Sequence, residues 1–230
     1  MDLTLLQKIA VWAVPVLFAI TVHETMHGWM AWRLGDPTAR MLGRLSLNPV
    51  RHIDPVGTIL VPGLLLTLGG FLFGWAKPVP VTWENLKKPK RDMALVAIAG
   101  PLSNLFMALV WALLMRLVVT LATTESVVVI YLLYLGIAGI LINSVLMVLN
   151  LLPLPPLDGG RVVAGLLPGR YSWQFSRLEP YGLPILIVLM VTGVLSQVIG
   201  PPVMLVMGLM TAISGLSANS FYLLFSNLSG

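Results

Sequence analysis

Long apolar stretches separated by short polar ones are the main feature of this sequence. Each apolar stretch is close to or longer than the ~20 residues that an α-helix needs to cross the hydrocarbon core of a bilayer. The six stretches are Leu3–Leu34, Val56–Phe73, Met93–Leu121, Val127–Leu152, Leu183–Ile199 and Pro201–Phe225, with a minimal Gly200-Pro201-Pro202 break between the last two. The pattern predicts an all-α polytopic membrane protein with about five to six transmembrane helices.

The composition agrees with a protein that lies mostly inside a membrane. Hydrophobic residues make up 57% of the 230 residues and charged residues only 10%, whereas soluble domains carry about 25% charged residues. The mean hydropathy is +0.92. These values exclude an ordinary soluble enzyme. The polar stretches are too short for a separate soluble domain, so we expect residues 1–230 to form one integral membrane domain, with residues 183–225 as its C-terminal helices.

The charged residues indicate topology rather than a nucleic-acid partner. The net charge is +5, but no basic run with interleaved aromatic residues is present, and basic residues beside membrane helices act as topology signals. The chain has no cysteine, which excludes disulfides and thiolate metal ligands. Residues 1–20 lack the basic start and small-residue cleavage site of a signal peptide, so we expect them to form a retained helix.

Two of the three histidines form an HExxH motif near the end of the first apolar stretch. Side chains four residues apart on a helix lie on one face, about 5–6 Å apart, so His23 and His27 can approach one metal ion. Glu24 lies where its carboxylate can take a proton from water. The alternative is two core histidines with a surface glutamate. Ionisable groups inside an apolar stretch are costly and mark function, which favours the metal site.

A catalytic zinc site usually has a third protein ligand, and Asp158 is the candidate. Three prolines before it break the fourth apolar stretch, and Gly159 and Gly160 after it allow a sharp turn. We therefore expect a carboxylate on non-helical backbone near membrane depth, which is tolerated only inside protein or beside a wet cavity. The alternative is a turn that ends the helix, with Asp158 as its cap.

These motifs resemble the site-2 protease family of intramembrane zinc metalloproteases. The family motifs are HExxH and N-x-x-P-x-x-x-L-D-G, and this chain has HETMH at residues 23–27 and LNLLPLPPLDGGR at residues 149–161. Further stretches within residues 20–182 resemble a compact bacterial branch without PDZ-like or CBS-like domains. These stretches are Gly28–Pro37, Leu47–Pro49, His52–Pro55, Phe73–Val81, Ala99–Asn104 and Arg177–Gly182.

The resemblance implies a role for each matching residue. His23, His27 and Asp158 would bind one zinc ion per chain, and Glu24 would be the general base that activates water. Asn150 would hold the substrate carbonyl or the oxyanion, which agrees with the donor capacity of its amide. Its alternative is an interhelical hydrogen bond, which is common for asparagine in membrane helices. Two imidazoles and a carboxylate suit zinc best, although iron or cobalt also fits such a set.

Three further polar residues have two interpretations each. His52 lies in an interfacial loop, where a structural hydrogen bond is favoured over an approach to the metal. Asn104 either braces the site or belongs to a close helix contact through Gly100 and Ser103. Arg161 either pairs with Asp158 or anchors the chain at the membrane surface.

The positions of the metal motifs predict the topology. His23, His27 and Asp158 must lie at one depth, so the first and fourth apolar stretches should run in the same direction. We therefore predict that residues 56–73, which contain Pro62-Gly63, are re-entrant or interfacial. All Lys and Arg residues except Lys8 and Arg116 then share one face, which the positive-inside rule makes cytoplasmic. The active site would lie towards that side of the plasma membrane.

Small, aromatic and proline residues alternate from Gly74 to Trp83. This pattern is typical of an extended edge strand, and an intramembrane protease must unwind its substrate helix. We expect an extended loop beside the active site that pairs with the unwound substrate. A surface loop without a role in catalysis is the alternative.

The combined interpretation is a zinc metalloendopeptidase of the bilayer that cuts single-span membrane proteins, either to release a regulatory fragment or to clear a remnant. One rival is a metal transporter, but such proteins carry several ligand sets, and this chain has only three histidines. The other rival is a catalytically silent scaffold, which the intact motif disfavours. The sequence predicts neither the substrate nor the oligomeric state.

Overall fold

The computed structural model describes residues 3–60, 77–122 and 126–229, and helices dominate them. In chain order the helices are α1 (Leu5–Arg33), α2 (Thr38–Met41), α3 (Pro89–Leu121), α4 (Val127–Asn150), α5 (Asp158–Leu166), α6 (Gly169–Ser176), α7 (Glu179–Val191), α8 (Val194–Ser214) and α9 (Ala218–Ser229). Short 3₁₀ turns occur at Pro49–Arg51 and Trp83–Asn85, and a π turn at Pro55–Leu60. No strand occurs in these ranges, and the predicted all-α class is confirmed.

Four of these helices are long and apolar enough to cross a membrane: α1, α3, α4 and α8. The apolar helix α7 has 13 residues. It is therefore about 20 Å long, which is shorter than the hydrocarbon core of about 30 Å. Most of the predicted re-entrant segment 56–73 lies outside the described residues. The described part thus contains four full-length membrane helices and one shorter apolar helix, against the five to six expected.

The predicted break at Gly200-Pro201-Pro202 is wrong. Helix α8 continues through Pro201 and Pro202, and the chain breaks earlier, at Gly193. Gly193 has φ of +76°, a left-handed conformation that glycine adopts without a Cβ penalty and that commonly ends helices. A membrane helix tolerates internal prolines where neighbouring groups satisfy the freed backbone. The glycine conformation, rather than the prolines, therefore separates α7 from α8.

Helices α1 and α3 run antiparallel. The amide of Asn104 on α3 donates to the carbonyl of Ala19 on α1. His27 lies eight residues later on α1, but its partner Val96 lies eight residues earlier on α3. At the ends of these helices, the Lys87 N–H donates to the Leu34 carbonyl over 3.1 Å. The end of α1 and the start of α3 therefore lie together.

Helix α4 is antiparallel to α3 as well. Gly139 on α4 lies against Trp111 on α3, since a Cβ at Gly139 would touch that ring. Asn143 lies one turn later on α4, but it bonds to Asn104, which lies earlier on α3. Because α1 and α4 both oppose α3, they run in the same direction, and this part of the topology prediction is confirmed. Helix α3 also contacts α5 and α8, so it is the central helix of the bundle.

The buried carboxylate of Asp36 ties residues 77–88 to the end of α1. It accepts hydrogen bonds from the Thr38 N–H over 3.1 Å, the Thr82 N–H over 2.8 Å and the Asn85 amide over 3.0 Å. Burial opposes ionisation, but the hydrogen bonds from these residues outweigh it and lower the pKa of Asp36. The ionised side chain therefore anchors the loop that passes beside Glu24.

Candidate metal centre and active site

The HExxH motif lies on α1, and both histidines face the inside of the bundle. One helical turn separates His23 and His27, and their Nε2 atoms approach to 3.0 Å. The rings meet edge to face at a centroid distance of 4.6 Å. Both side chains are buried. The local helix thus supplies two of the three atoms that converge at this point.

Asp158, the first residue of α5, supplies the third atom. Its Oδ2 lies 3.2 Å from Nε2 of His23 and 3.2 Å from Nε2 of His27. In a tetrahedral site with zinc–ligand bonds of about 2.0–2.1 Å, two ligand atoms lie about 3.3–3.4 Å apart. The triangle of two nitrogens and one oxygen therefore has the size of one face of such a tetrahedron. The chemistry of the donors and their spacing both suit zinc.

The backbone around Asp158 differs from the prediction. The prolines do end α4, but Asp158 begins a new helix rather than lying on non-helical backbone. Gly159 and Gly160 have no positive φ. A Cβ at Gly159 would lie 2.3 Å from the Leu151 carbonyl oxygen, and one at Gly160 would lie 2.5 Å from the Pro155 nitrogen. The glycines are needed because α5 packs directly on the preceding turn, not because the chain reverses there.

The outer ring nitrogens of the two histidines are held by acceptors. Nδ1 of His23 lies 2.6 Å from Oδ1 of Asn104, and Nδ1 of His27 lies 2.8 Å from the Val96 carbonyl oxygen. An oxygen acceptor at Nδ1 favours the tautomer with a proton there and a lone pair on Nε2. For Asn104, the bracing interpretation is therefore supported by direct contact.

Nε2 of His23, Nε2 of His27 and Oδ2 of Asp158 are therefore three acceptor atoms that face one another. The Asp158 carboxylate is buried beside both imidazoles. Its Oδ2 has no hydrogen-bond partner. A buried carboxylate oxygen beside two imidazole lone pairs is costly unless a cation joins them. This arrangement could hold a metal ion.

Gly100 on α3 makes room for the imidazoles. A Cβ at this position would lie 2.4 Å from Nε2 of His27 and 2.7 Å from Cε1 of His23. The neighbouring Ser103 hydroxyl donates to the Gly100 carbonyl over 2.6 Å. The close helix contact expected from this stretch is therefore a contact between α3 and the histidines themselves.

Glu24 lies between the histidines in sequence, and its carboxylate meets the loop of residues 77–82. Its Oε2 accepts a hydrogen bond from the Val79 N–H over 2.8 Å. Gly28 permits this approach, because a Cβ there would lie 2.8 Å from the Val79 side chain. The described part of the predicted extended stretch, residues 77–82, is non-helical and passes beside Glu24, but it pairs with no strand in the described ranges. Residues 74–76 lie outside them.

The remaining candidates lie apart from the three ligand atoms. The Asn150 amide donates to the Leu146 carbonyl of its own helix over 2.9 Å, and no contact joins it to His23, His27 or Asp158. Nε2 of His52 bonds to the Ser46 carbonyl over 2.8 Å, which is the structural bond expected for it. The Arg161 guanidinium lies over the Trp83 ring at 5.5 Å and makes no ion pair with Asp158.

Two groups at the site could not have been identified from the sequence. The Val96 carbonyl and the Val79 N–H are backbone groups, so the residue type carries no signal of either contact. Only the placement of α3 and of the 77–82 loop against α1 brings them to His27 and Glu24.

Comparison with known proteins agrees with this site. The profile of Peptidase family M50 matches residues 114–193. The chain is 38% identical over 194 residues to "Putative zinc metalloprotease YwhC" of Bacillus subtilis, which covers 82% of this chain and 83% of that protein. It is 30% identical over 183 residues to "Putative zinc metalloprotease Rip2" of Mycolicibacterium smegmatis, which covers 79% of this chain and 66% of that protein.

No solved structure matches the chain. The B. subtilis relative is similar over most of both chains, and the apolar helices and the HExxH on α1 are those of a membrane metalloprotease. The chain therefore belongs to peptidase family M50, the site-2 protease family of metalloproteases.

Proposed function

We propose that this protein is an intramembrane zinc endopeptidase that hydrolyses peptide bonds of membrane-spanning proteins, with one zinc ion per chain. The observation that carries the proposal is the convergence of three buried acceptors, Nε2 of His23, Nε2 of His27 and Oδ2 of Asp158, within 3.0–3.2 Å of one another. In the described part of the chain this is the one candidate ligand set. A single set offers no path of sites along which a transporter would pass ions.

In this proposal, residues of the chain itself transfer the proton and position the group that transfers it. A zinc ion at this site supplies a Lewis acid that polarises a carbonyl and eases deprotonation of water. Glu24, next to the ligand His23 in sequence, takes the proton from water and gives it to the leaving amine. The Val79 N–H holds the Glu24 carboxylate at Oε2, which leaves its other oxygen for the proton transfer.

Asn150 is proposed to bind the substrate carbonyl or the oxyanion. Its amide bonds to Leu146 within α4, so it uses one of its two N–H donors and keeps one for a substrate. It lies at the last residue of α4, where the chain leaves the helix towards Asp158.

The proposed location is the plasma membrane, with the metal centre towards the cytoplasm. The end of α1 and the start of α3 lie together and carry a concentration of basic residues, namely Arg33, Lys87, Lys88, Lys90 and Arg91. Basic residues collect on the cytoplasmic side of membrane helices. The substrates we propose are single-span proteins whose helices unwind at the site, for release of a regulatory fragment or clearance of a remnant.

The test compares zinc content and proteolysis of the purified protein with those of Glu24→Gln, using a panel of single-span helices in detergent. Glu24 is not a proposed ligand, so the variant should keep one zinc per chain and lose at least about 100-fold in cleavage, as expected for loss of a general base. His27→Ala removes a proposed ligand and should lose both the zinc and the cleavage. The exposed residue Glu84 provides the control Glu84→Gln, which should behave as wild type. A wild-type protein without zinc would contradict the proposal.

A further inference from the structure

Two buried amides lead from His23 into the centre of the bundle. Asn104 on α3 and Asn143 on α4 both have exposures of 0%, and they bond to each other across the helix interface over 2.9 Å. Asn143 makes no hydrogen bond to His23, His27 or Asp158. Its sequence neighbourhood belongs to no metal motif.

The hydrogen-bond partners determine which way each amide faces. The Asn143 side chain donates to the Gly139 carbonyl over 2.9 Å, and a carbonyl can only accept. Oδ1 of Asn143 therefore faces Asn104, whose NH₂ group donates to it over 2.9 Å and to the Ala19 carbonyl over 3.3 Å. Oδ1 of Asn104 is then left to face Nδ1 of His23 at 2.6 Å, so that nitrogen carries the proton.

We propose that Asn143 is a positioning residue for the metal centre: through Asn104, it holds His23 in the tautomer whose Nε2 is free to bind a divalent cation. The inference rests on the proposed function, in which His23, His27 and Asp158 hold zinc. Without the Asn143 acceptor, only the longer contact to Ala19 would orient Asn104. Rotation of that amide would present NH₂ to Nδ1 of His23, which favours the proton on Nε2 and blocks it as a ligand.

The two histidines differ in the kind of acceptor that faces Nδ1. The acceptor for His27 is the backbone carbonyl of Val96, which is part of α3 and cannot exchange a donor for an acceptor. The acceptor for His23 is a side-chain amide, which presents either an oxygen or an NH₂ group depending on its rotation. Only His23 therefore needs a second residue to set the orientation of its partner.

The experiment measures the zinc dissociation constant by competition with a chelator, on purified protein in detergent. Asn143→Leu keeps a similar volume and removes the acceptor, and we expect zinc binding to weaken about 10–100-fold, as is typical when an outer partner of a metal ligand is lost. Asn143→Asp should rescue the wild-type affinity. In its protonated form, the introduced carboxyl group would donate to the Gly139 carbonyl and accept from Asn104, as the asparagine does.

Ser144 provides the matched control. It is the next residue on α4, it is 1% exposed, and its hydroxyl donates to the Ile140 carbonyl of its own helix over 2.7 Å. Ser144→Ala removes a buried polar group from the same helix without touching Asn104. We expect this variant to bind zinc as tightly as the wild type.

The possible results separate the inference from the proposed function. If wild type binds zinc and Asn143→Leu binds it equally well, the positioning role is wrong and the metal site stands. If the Leu and Asp variants weaken binding equally, Asn143 acts through packing, and the inference is again wrong. If wild type binds no zinc, both proposals fail. Should Asn143→Leu not fold, Asn143→Ala removes the same acceptor without adding an apolar group and decides the question in its place.

Discussion

His23 and His27 each use one ring nitrogen for support and leave the other facing Asp158. The supporting partners are a side-chain amide for His23 and a backbone carbonyl for His27. Both are oxygen acceptors, so both rings present lone pairs to the same point. The orientation of the two imidazoles therefore depends on atoms that lie outside the HExxH motif as much as on the motif itself.

Gly100 gives the first test at the residue scale. In Gly100→Ala, the new methyl would lie 2.4 Å from Nε2 of His27, so the ring must shift from its position beside Asp158. Overpacking of this kind costs about 1–3 kcal/mol, and each 1.4 kcal/mol corresponds to a tenfold change in a binding constant. We expect zinc binding to weaken about tenfold or more and cleavage to fall with it, measured by chelator competition and a peptide-bond assay.

Gly208→Ala serves as the control for this prediction. Gly208 lies inside α8, and a Cβ there would meet no atom within 4 Å. Alanine also favours a helix more than glycine does, so the control should bind zinc normally and unfold at the same or a higher temperature. Equal zinc binding by Gly100→Ala would contradict the close packing of α3 on the histidines.

At the scale of elements, the loop of residues 77–82 connects Glu24, the proposed general base, to the rest of the fold. Asp36 holds this loop at Thr82, and Val79 in turn bonds to Glu24. Asp36 lies beyond the end of α1, whereas Glu24 lies within that helix. The loop thus links Glu24 to Asp36, a residue outside the helix that carries Glu24.

Val79→Pro tests this connection. Proline has no N–H, so the variant loses the hydrogen bond to Oε2 of Glu24. Hydrogen bonds to charged groups are worth about 1.5–3 kcal/mol, and each 1.36 kcal/mol in the barrier is tenfold in rate. We expect cleavage to slow about 10–100-fold while zinc content stays at the wild-type level.

Val81→Pro is the matched variant, because the Val81 N–H makes no hydrogen bond to any residue in the described ranges. If the loop acts only through Glu24, this variant should cleave normally. If residues 77–82 also pair with an unwound substrate, as their extended pattern predicts, both proline variants should lose activity. Normal cleavage by Val79→Pro would show that the base does not need its Val79 partner.

At the scale of the whole molecule, α3 determines which ends of the helices come together. It has 33 residues and is therefore about 50 Å long, enough to reach beyond both faces of the bilayer. Helices α1 and α4 both run against it. His23, His27 and Asp158 accordingly meet beside the half of α3 that is nearer to its start, which is also the end where the basic residues collect.

Cysteine labelling tests the proposed orientation. The chain has no native cysteine, so Lys87→Cys and Ala122→Cys each introduce a single thiol at an exposed position on opposite ends of α3. In intact cells, a membrane-impermeant reagent should label Ala122→Cys and leave Lys87→Cys unlabelled until the cells are opened. The reverse pattern would place the metal centre on the outer side. Cleavage of a substrate by both variants would show that each is folded.

Local pattern was sufficient for much of the fold and for the three residues that converge at the candidate site. The apolar stretches predicted α1, α3 and α4 to within a few residues, because a lipid environment leaves a helix as the simplest way to satisfy the backbone. The spacing within HExxH put His23 and His27 on one helical face for the same geometric reason. Pattern was insufficient where glycine and proline occur, because each can end a helix, form a turn or lie inside a helix. The break between α7 and α8 and the start of α5 were predicted wrongly for this reason.

What the sequence by itself determined is therefore the membrane helices α1, α3 and α4, the HExxH pair and, through its motif, Asp158. Those features depend on residue type and on spacing of a few positions, which a single chain segment displays. The tertiary structure alone decided that Asn104 and Val96 support the histidines, that Gly100 admits them and that Val79 meets Glu24. Each of these contacts joins residues tens of positions apart, and several use backbone atoms, so only the packing of helices and loops brings them into being.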